Sequence, residues 1–85
     1  MSETSLKTKL AWQCRRGMLE LDVILLPFLN DFFDQLETPQ QNTFAKLLGE
    51  ADPDLYSWIM GYSQCHEAEF SEIIQVIRDK MQVAG

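Results

Sequence analysis

The sequence predicts an all-α fold, a small bundle of five helices joined by short loops. Apolar residues recur at spacings of three and four, proline and glycine mark the ends of those stretches, and neither strand-like alternation nor an internal repeat occurs. At 85 residues the chain is expected to form a single helical domain, 1–85, with no Pro/Gly/Ser-rich linker to divide it. The composition is 46% hydrophobic, with two tryptophans and five phenylalanines, which is too apolar for a disordered chain.

Leu6, Leu10 and Cys14 lie on one stripe of a first short helix, with Thr4 or Ser5 as its N-cap. Arg15 and Arg16 are expected in its last turn, where cations suit the negative end of the helix dipole, and Gly17 follows as a left-handed stop. From Met18 to Leu36 the set Leu21, Ile24, Leu25, Phe28, Phe32 and Leu36 advances by threes and fours, which gives a long second helix. Val23, Leu26, Leu29 and Phe33 widen its apolar arc beyond what one neighbour can cover, so this helix is expected at the centre. Pro27 removes a backbone donor and predicts a kink or break near Val23 to Leu26.

Thr38-Pro39-Gln40-Gln41 reads as the start of a third helix, with Thr38 as cap, Pro39 at the first helical position and Gln41 closing a capping box. That helix carries Phe44, Leu47 and Leu48 and stops at Gly49. Asp52-Pro53-Asp54 repeats the device for a fourth helix through Leu55, Tyr56, Trp58 and Ile59, ending at Gly61. After a loop over Tyr62 to Cys65, the stripe Phe70, Ile73, Ile74, Ile77 and Met81 defines the fifth helix. Its acids come early and Arg78 and Lys80 late.

The formal charge of −6 is unevenly spread. Lys7, Lys9, Arg15 and Arg16 make the start basic, whereas positions 20 to 72 hold eleven acids against Lys46 alone. Nucleic acid is therefore not an expected partner, since a phosphate-binding face needs clustered cations. An acidic body suits a protein partner with basic patches. The longest apolar run, Val23 to Leu29, falls far short of the ~20 residues a membrane span needs, and the first residues lack the order of a secretion signal. No membrane insertion is expected, and the chain reads as cytoplasmic. Cys14 and Cys65 form no C-x-x-C pattern and are expected to be free thiols; one disulfide, or a Cys14/His66 nucleophile pair, is the lesser alternative.

Catalytic arrangements lack support. His66, the one histidine, stands beside Cys65 and three residues before Glu69, but no pattern supplies an oxyanion site or an orienting group. Cys65, His66 and Glu69 without a fourth ligand do not make a structural zinc site. Asp52 and Asp54 read as helix-start acids rather than as a cation loop. No G-x-G-x-x-G or Gly-Lys-[Ser/Thr] loop is present, so the chain is not expected to bind a nucleotide cofactor itself. No catalytic or metal-binding residue is assigned, and a non-enzymatic role is expected.

Arg15-Arg16-Gly17-Met18-Leu19-Glu20-Leu21-Asp22 is the most informative stretch. Glycine inside a helical pattern costs roughly 1 kcal/mol relative to alanine, so Gly17 needs a turn, a packing reason or a partner whose backbone comes close. Arg15-Arg16-Gly17 alone reads equally as an ordinary helix C-terminus. Arg16 and Glu20 are spaced for a surface ion pair, but the cation lies N-terminal to the anion, the weaker order, and Gly17 undermines the helix between them. An exposed corner at Arg16-Gly17 flanked by Glu20 and Asp22 would instead make a contact surface.

Read with Trp12 upstream, Pro27-Phe28 downstream and the block Asp52-Pro53-Asp54-Leu55…Trp58, this stretch resembles the SdhE (YgfY) family of FAD assembly factors. The likeness runs from about Trp12 to Ile77 and rests on an R-G-x-x-E element, Arg16, Gly17 and Glu20, followed at the right distance by D-P-D-L-x-x-W. The resemblance implies a small helical chaperone-like factor that promotes covalent attachment of FAD to the flavoprotein subunit of succinate dehydrogenase, and of the related fumarate reductase. FAD would be held by that partner, whose histidine makes the bond. The residues expected to meet the partner are Arg15, Arg16, Gly17, Met18, Glu20 and Asp22. An antitoxin-like or regulatory interaction module, a role with which the family has also been labelled, is the alternative.

Overall fold

Helices and short connections account for the whole of the computed structural model, which describes residues 2–83, with side chains from Lys7 onward. The five helices are α1 (Ser2–Cys14), α2 (Leu19–Phe32), α3 (Thr38–Leu47), α4 (Asp52–Met60) and α5 (Ala68–Met81). A 3₁₀ turn, Phe33–Gln35, continues α2. No strand occurs among the described residues. The all-α, five-helix expectation is met.

α2 is central, as its wide apolar arc requires, and packs against α1, α4 and α5. Leu21, Leu25, Phe28 and Leu29 are fully buried on it. They meet Leu10 and Cys14 from α1, Phe44 and Leu47 from α3, Leu55 and Ile59 from α4, and Ile73, Ile74 and Ile77 from α5. Three phenylalanines pin α3 to this centre, with Phe28 and Phe33 placing their rings 5.4 and 5.8 Å from that of Phe44 in tilted arrangements. Such pairs add about 0.5–1.5 kcal/mol beyond area burial.

Several boundaries differ from expectation, each for a local reason. The α1 backbone is already helical at Ser2, so Thr4 and Ser5 lie inside the helix; their side chains and that of Leu6 lie outside the described residues. α1 closes at Cys14, and Arg15 and Arg16 stand beyond its last turn. The Arg15 N–H bonds back to Trp12 O at 3.2 Å, while the Arg16 N–H turns away to an Asp22 carboxylate oxygen at 2.9 Å. α2 runs unbroken through Pro27 and tightens only at Phe33. The carbonyl that Pro27 leaves without an amide donor is that of Val23, a residue 55% exposed.

At the start of α3 the cap is Glu37, one residue before the expected Thr38. Gln40 accepts the Glu37 N–H at 3.1 Å, and Gln41 instead donates to the Phe33 carbonyl at 3.0 Å. At α4 the cap is Ala51, so Asp52 becomes the first helical residue and its carboxylate is left for another partner. Gly61 ends α4 in the left-handed conformation expected of it, φ 82°.

Candidate partner-binding site

The turn between α1 and α2 forms a corner at Gly17. Its φ is 80°, a region that L-residues rarely adopt, and the position where a Cβ would stand has nothing within 4 Å. A turn, not internal crowding, thus explains why glycine sits here. The corner faces solvent, with Arg15, Gly17 and Glu20 all exposed.

Arg16 holds the corner in place. Its Nε donates to Asp52 Oδ1 at 2.6 Å, and Nη1 donates to Leu48 O at 2.5 Å and Gln13 O at 3.1 Å. Nη2 donates to Glu50 O at 2.5 Å. Leu48 and Glu50 lie just past the end of α3, where helix carbonyls lack intrahelical donors, so the guanidinium fills acceptors that the fold leaves open. Asp52 opens α4, where an anion suits the positive helix end. One planar fork therefore joins the end of α1, the end of α3 and the start of α4. Its side chain is only 13% exposed, and its ion partner is Asp52 rather than Glu20.

The other residues of the stretch divide between support and surface. Asp22 is half-buried and anchors the Arg16 amide, as described above. Met18 is the N-cap residue of α2 and packs against the core, its carbonyl accepting from Leu21 and Asp22 at 3.0 Å. Glu20 lies in the first turn of α2, where an acid suits the helix dipole. Arg15 lies over the Trp12 ring, 5.4 Å from its centroid.

Sequence reasoning overlooked the apolar component of this face. Trp12 (68%), Leu19 (72%) and Val23 (55%) are large, exposed and next to the corner in sequence. Leu19 and Val23 are one helical turn apart and off the Leu21–Leu25–Phe28 stripe, a phase offset that separates them from the core set. Across from α2, Tyr56 and Tyr62 meet edge to face at 5.8 Å, and Tyr62 is 72% exposed. The Tyr56 phenol is raised above its ordinary range, chiefly by the neighbouring Tyr62 and in a smaller degree by the Glu20 carboxylate.

Behind the corner, burial pushes the Cys14 thiol up from 9.0 to about 12, against a lowering influence of Arg16. A rise of that size cuts its thiolate fraction near pH 8 by about a thousandfold. Iodoacetamide is therefore expected to modify the half-buried Cys65 in the native protein and Cys14 only after unfolding, as peptide mass mapping would show. Equal rates at both thiols would contradict this. Because the folded value lies above the unfolded one, this thiol also favours folding below pH 9, and that contribution is lost as pH rises towards 12.

Among the described residues, no His/Cys/Asp/Glu group is placed to hold a metal ion, and no helix is long and apolar enough to cross a membrane. The chain is 44% identical over 77 residues to a protein of Colwellia psychrerythraea named FAD assembly factor SdhE, covering 91% of this chain and 85% of that one. A protein of the same name from Idiomarina loihiensis is 43% identical over 84 residues, covering 96% and 93%. One from Vibrio cholerae is 42% identical over 71 residues, covering 84% and 83%. Residues 8–81 match the family described as the flavinator of succinate dehydrogenase, which spans the Gly17 corner and all the elements that hold it, and the chain belongs to that family.

Proposed function

We propose that this chain binds the flavoprotein subunit of succinate dehydrogenase, and of fumarate reductase, and promotes covalent attachment of FAD to it. The observation that carries the reading is the Gly17 corner, exposed at φ 80° with open space where a side chain would be, and bordered by Trp12, Arg15, Leu19, Glu20 and Val23. Large apolar groups left exposed among charged ones on both sides of the corner are the composition of a protein-binding surface. The family description, which names succinate dehydrogenase, and the relatives' name, FAD assembly factor, support this choice of client.

In this reading FAD and the histidine that receives it belong to the client, and the chain has no bond-making role of its own. It acts in the cytoplasm as one helical unit. It binds more tightly to the client conformation in which the isoalloxazine ring and the histidine are correctly placed. A preference of ~1.4 kcal/mol raises the population ratio of that conformation tenfold. Gly17 lets the client backbone approach, Glu20 contributes a polar contact that fixes register, and Arg15 and Met18 border the patch. Arg16 and Asp22 keep the corner in shape.

Mixing the chain with apo-flavoprotein subunit and FAD, then reading flavin fluorescence in a denaturing gel, tests the proposal. Covalent flavin should accumulate faster with the chain than without it, and equal rates would refute the reading. Glu20→Ala is expected to weaken binding to the subunit about fivefold or more in titration calorimetry, while stability stays within about 0.5 kcal/mol because the side chain is exposed. Unchanged affinity would remove Glu20 from the surface.

A further inference from the structure

Away from the Gly17 corner, the turn after α4 and one face of α5 enclose a depression of about 250 Å³, lined by Trp58, Gly61, Gln64, Ser71, Gln75 and Arg78 among others. Its character is unusual for this chain. With a net charge of −6 overall, the lining contains Arg78 and no acidic residue.

Arg78 lacks the partners that Arg16 has. Its Nε is buried without a hydrogen-bond partner, and its guanidinium forms no ion pair among the described residues. Position in the last turn of α5 accounts for a cation but not for half-burying it with its Nε out of solvent, since Lys80 serves the same helix end while exposed. An unpaired Nε out of solvent is costly, and the two Nη groups beside it have no hydrogen-bond acceptor among the described residues. Gly61 explains how the group is seated. A Cβ there would stand 2.5 Å from Nη1 and 3.1 Å from Cζ, so the guanidinium lies directly against the glycine of the α4 stop. Shape places it, and no counter-ion among the described residues does.

We infer that this depression is a binding site for a carboxylate group. The planar fork of Arg78 matches two carboxylate oxygens, and Ser71 and Gln64 line the same wall with further donors. Gln75 is partly committed already, its Nε2 donating to Asp79 Oδ1 at 2.9 Å. One cation neutralises a monoanion; a phosphate dianion would leave surplus negative charge in an acidic body. The volume lies below the ~300–1,000 Å³ of drug-sized pockets and suits a carboxylate on a short carbon stem. That carboxylate is either a free small acid or an Asp or Glu side chain of a protein partner.

The test uses the full ¹⁵N-labelled chain and follows the Arg78 Nε–H resonance in sodium acetate and in sodium chloride at matched ionic strength. A saturable shift in acetate, absent in chloride, lost in Arg78→Gln and reduced in Arg78→Lys, is expected. A shift that is linear in acetate or equal in chloride overturns the inference. Without acetate, Arg78→Gln should melt no lower than the parent, because it removes an unpaired buried donor; a clearly lower melting temperature would make Arg78 a structural group and also overturn the inference. Titration onto the apo-flavoprotein subunit separates the two sources. A tenfold or greater loss of affinity in Arg78→Gln assigns the carboxylate to the partner, and unchanged affinity with the acetate shift intact assigns it to a free acid. Failure of the parent chain to bind that subunit would defeat the proposed function and leave the acetate result standing.

Discussion

Arg16→Ala is expected to lower the melting temperature by about 8–24 °C, measured by far-ultraviolet circular dichroism. The substitution leaves the Leu48 and Glu50 carbonyls and the Asp52 carboxylate without the donors that now reach them at 2.5, 2.5 and 2.6 Å. Removing one partner of a buried, hydrogen-bonded ion pair costs about 3–5 kcal/mol. Here Asp52 is 35% exposed and regains water, which reduces the expected loss to about 2–3 kcal/mol. For a chain of this size each kcal/mol is worth about 4–8 °C. Arg16→Lys should recover only part of the loss, since a compact ammonium cannot span three acceptors on different elements. Asp52→Asn, which keeps both carbonyl contacts, should cost the least of the three. A fall of less than about 3 °C in Arg16→Ala would show that the clamp contributes little to stability.

Gly17→Arg should leave a folded protein that no longer supports flavin attachment. The backbone angle of 80° costs a side-chain-bearing residue roughly 1 kcal/mol, a fall of about 4–8 °C in melting temperature. No further penalty is expected, because nothing stands within 4 Å of the new Cβ. The functional loss should be at least tenfold in covalent flavin fluorescence, since a long cation would project from the surface where the client backbone is proposed to approach. Gly17→Ala carries the same backbone strain with little bulk and should retain more activity. Full activity in Gly17→Arg would remove the corner from the proposed contact surface, and an unfolded product would make Gly17 a structural glycine.

The contrast between these two residues shows what the sequence makes legible. The requirement at Gly17 is local, a left-handed turn after a helical stripe, and it can be read from a few neighbours. The engagement of Arg16 is set by carbonyls more than thirty positions away that face it only once α3 and α4 are folded, and no spacing rule announces them. The same distance effect shifts the start of α4, where Asp52 has a capper's chemistry but serves Arg16. The stripes of α2 and α5 were readable because burial of a helix face follows its period. Val23 was not, since an apolar residue at the margin of a wide arc has no sequence mark that tells core from surface. Leu19, one turn before it, escaped for the same reason.

The stitching of the α1–α2 turn to the end of α3 also bears on how a client is met. A loop tethered at three carbonyls and a carboxylate has few alternative shapes to surrender on association. The ordering cost falls at the moment the chain folds, so the proposed encounter would resemble rigid docking and leave a larger share of the contact energy to remodel the proposed client.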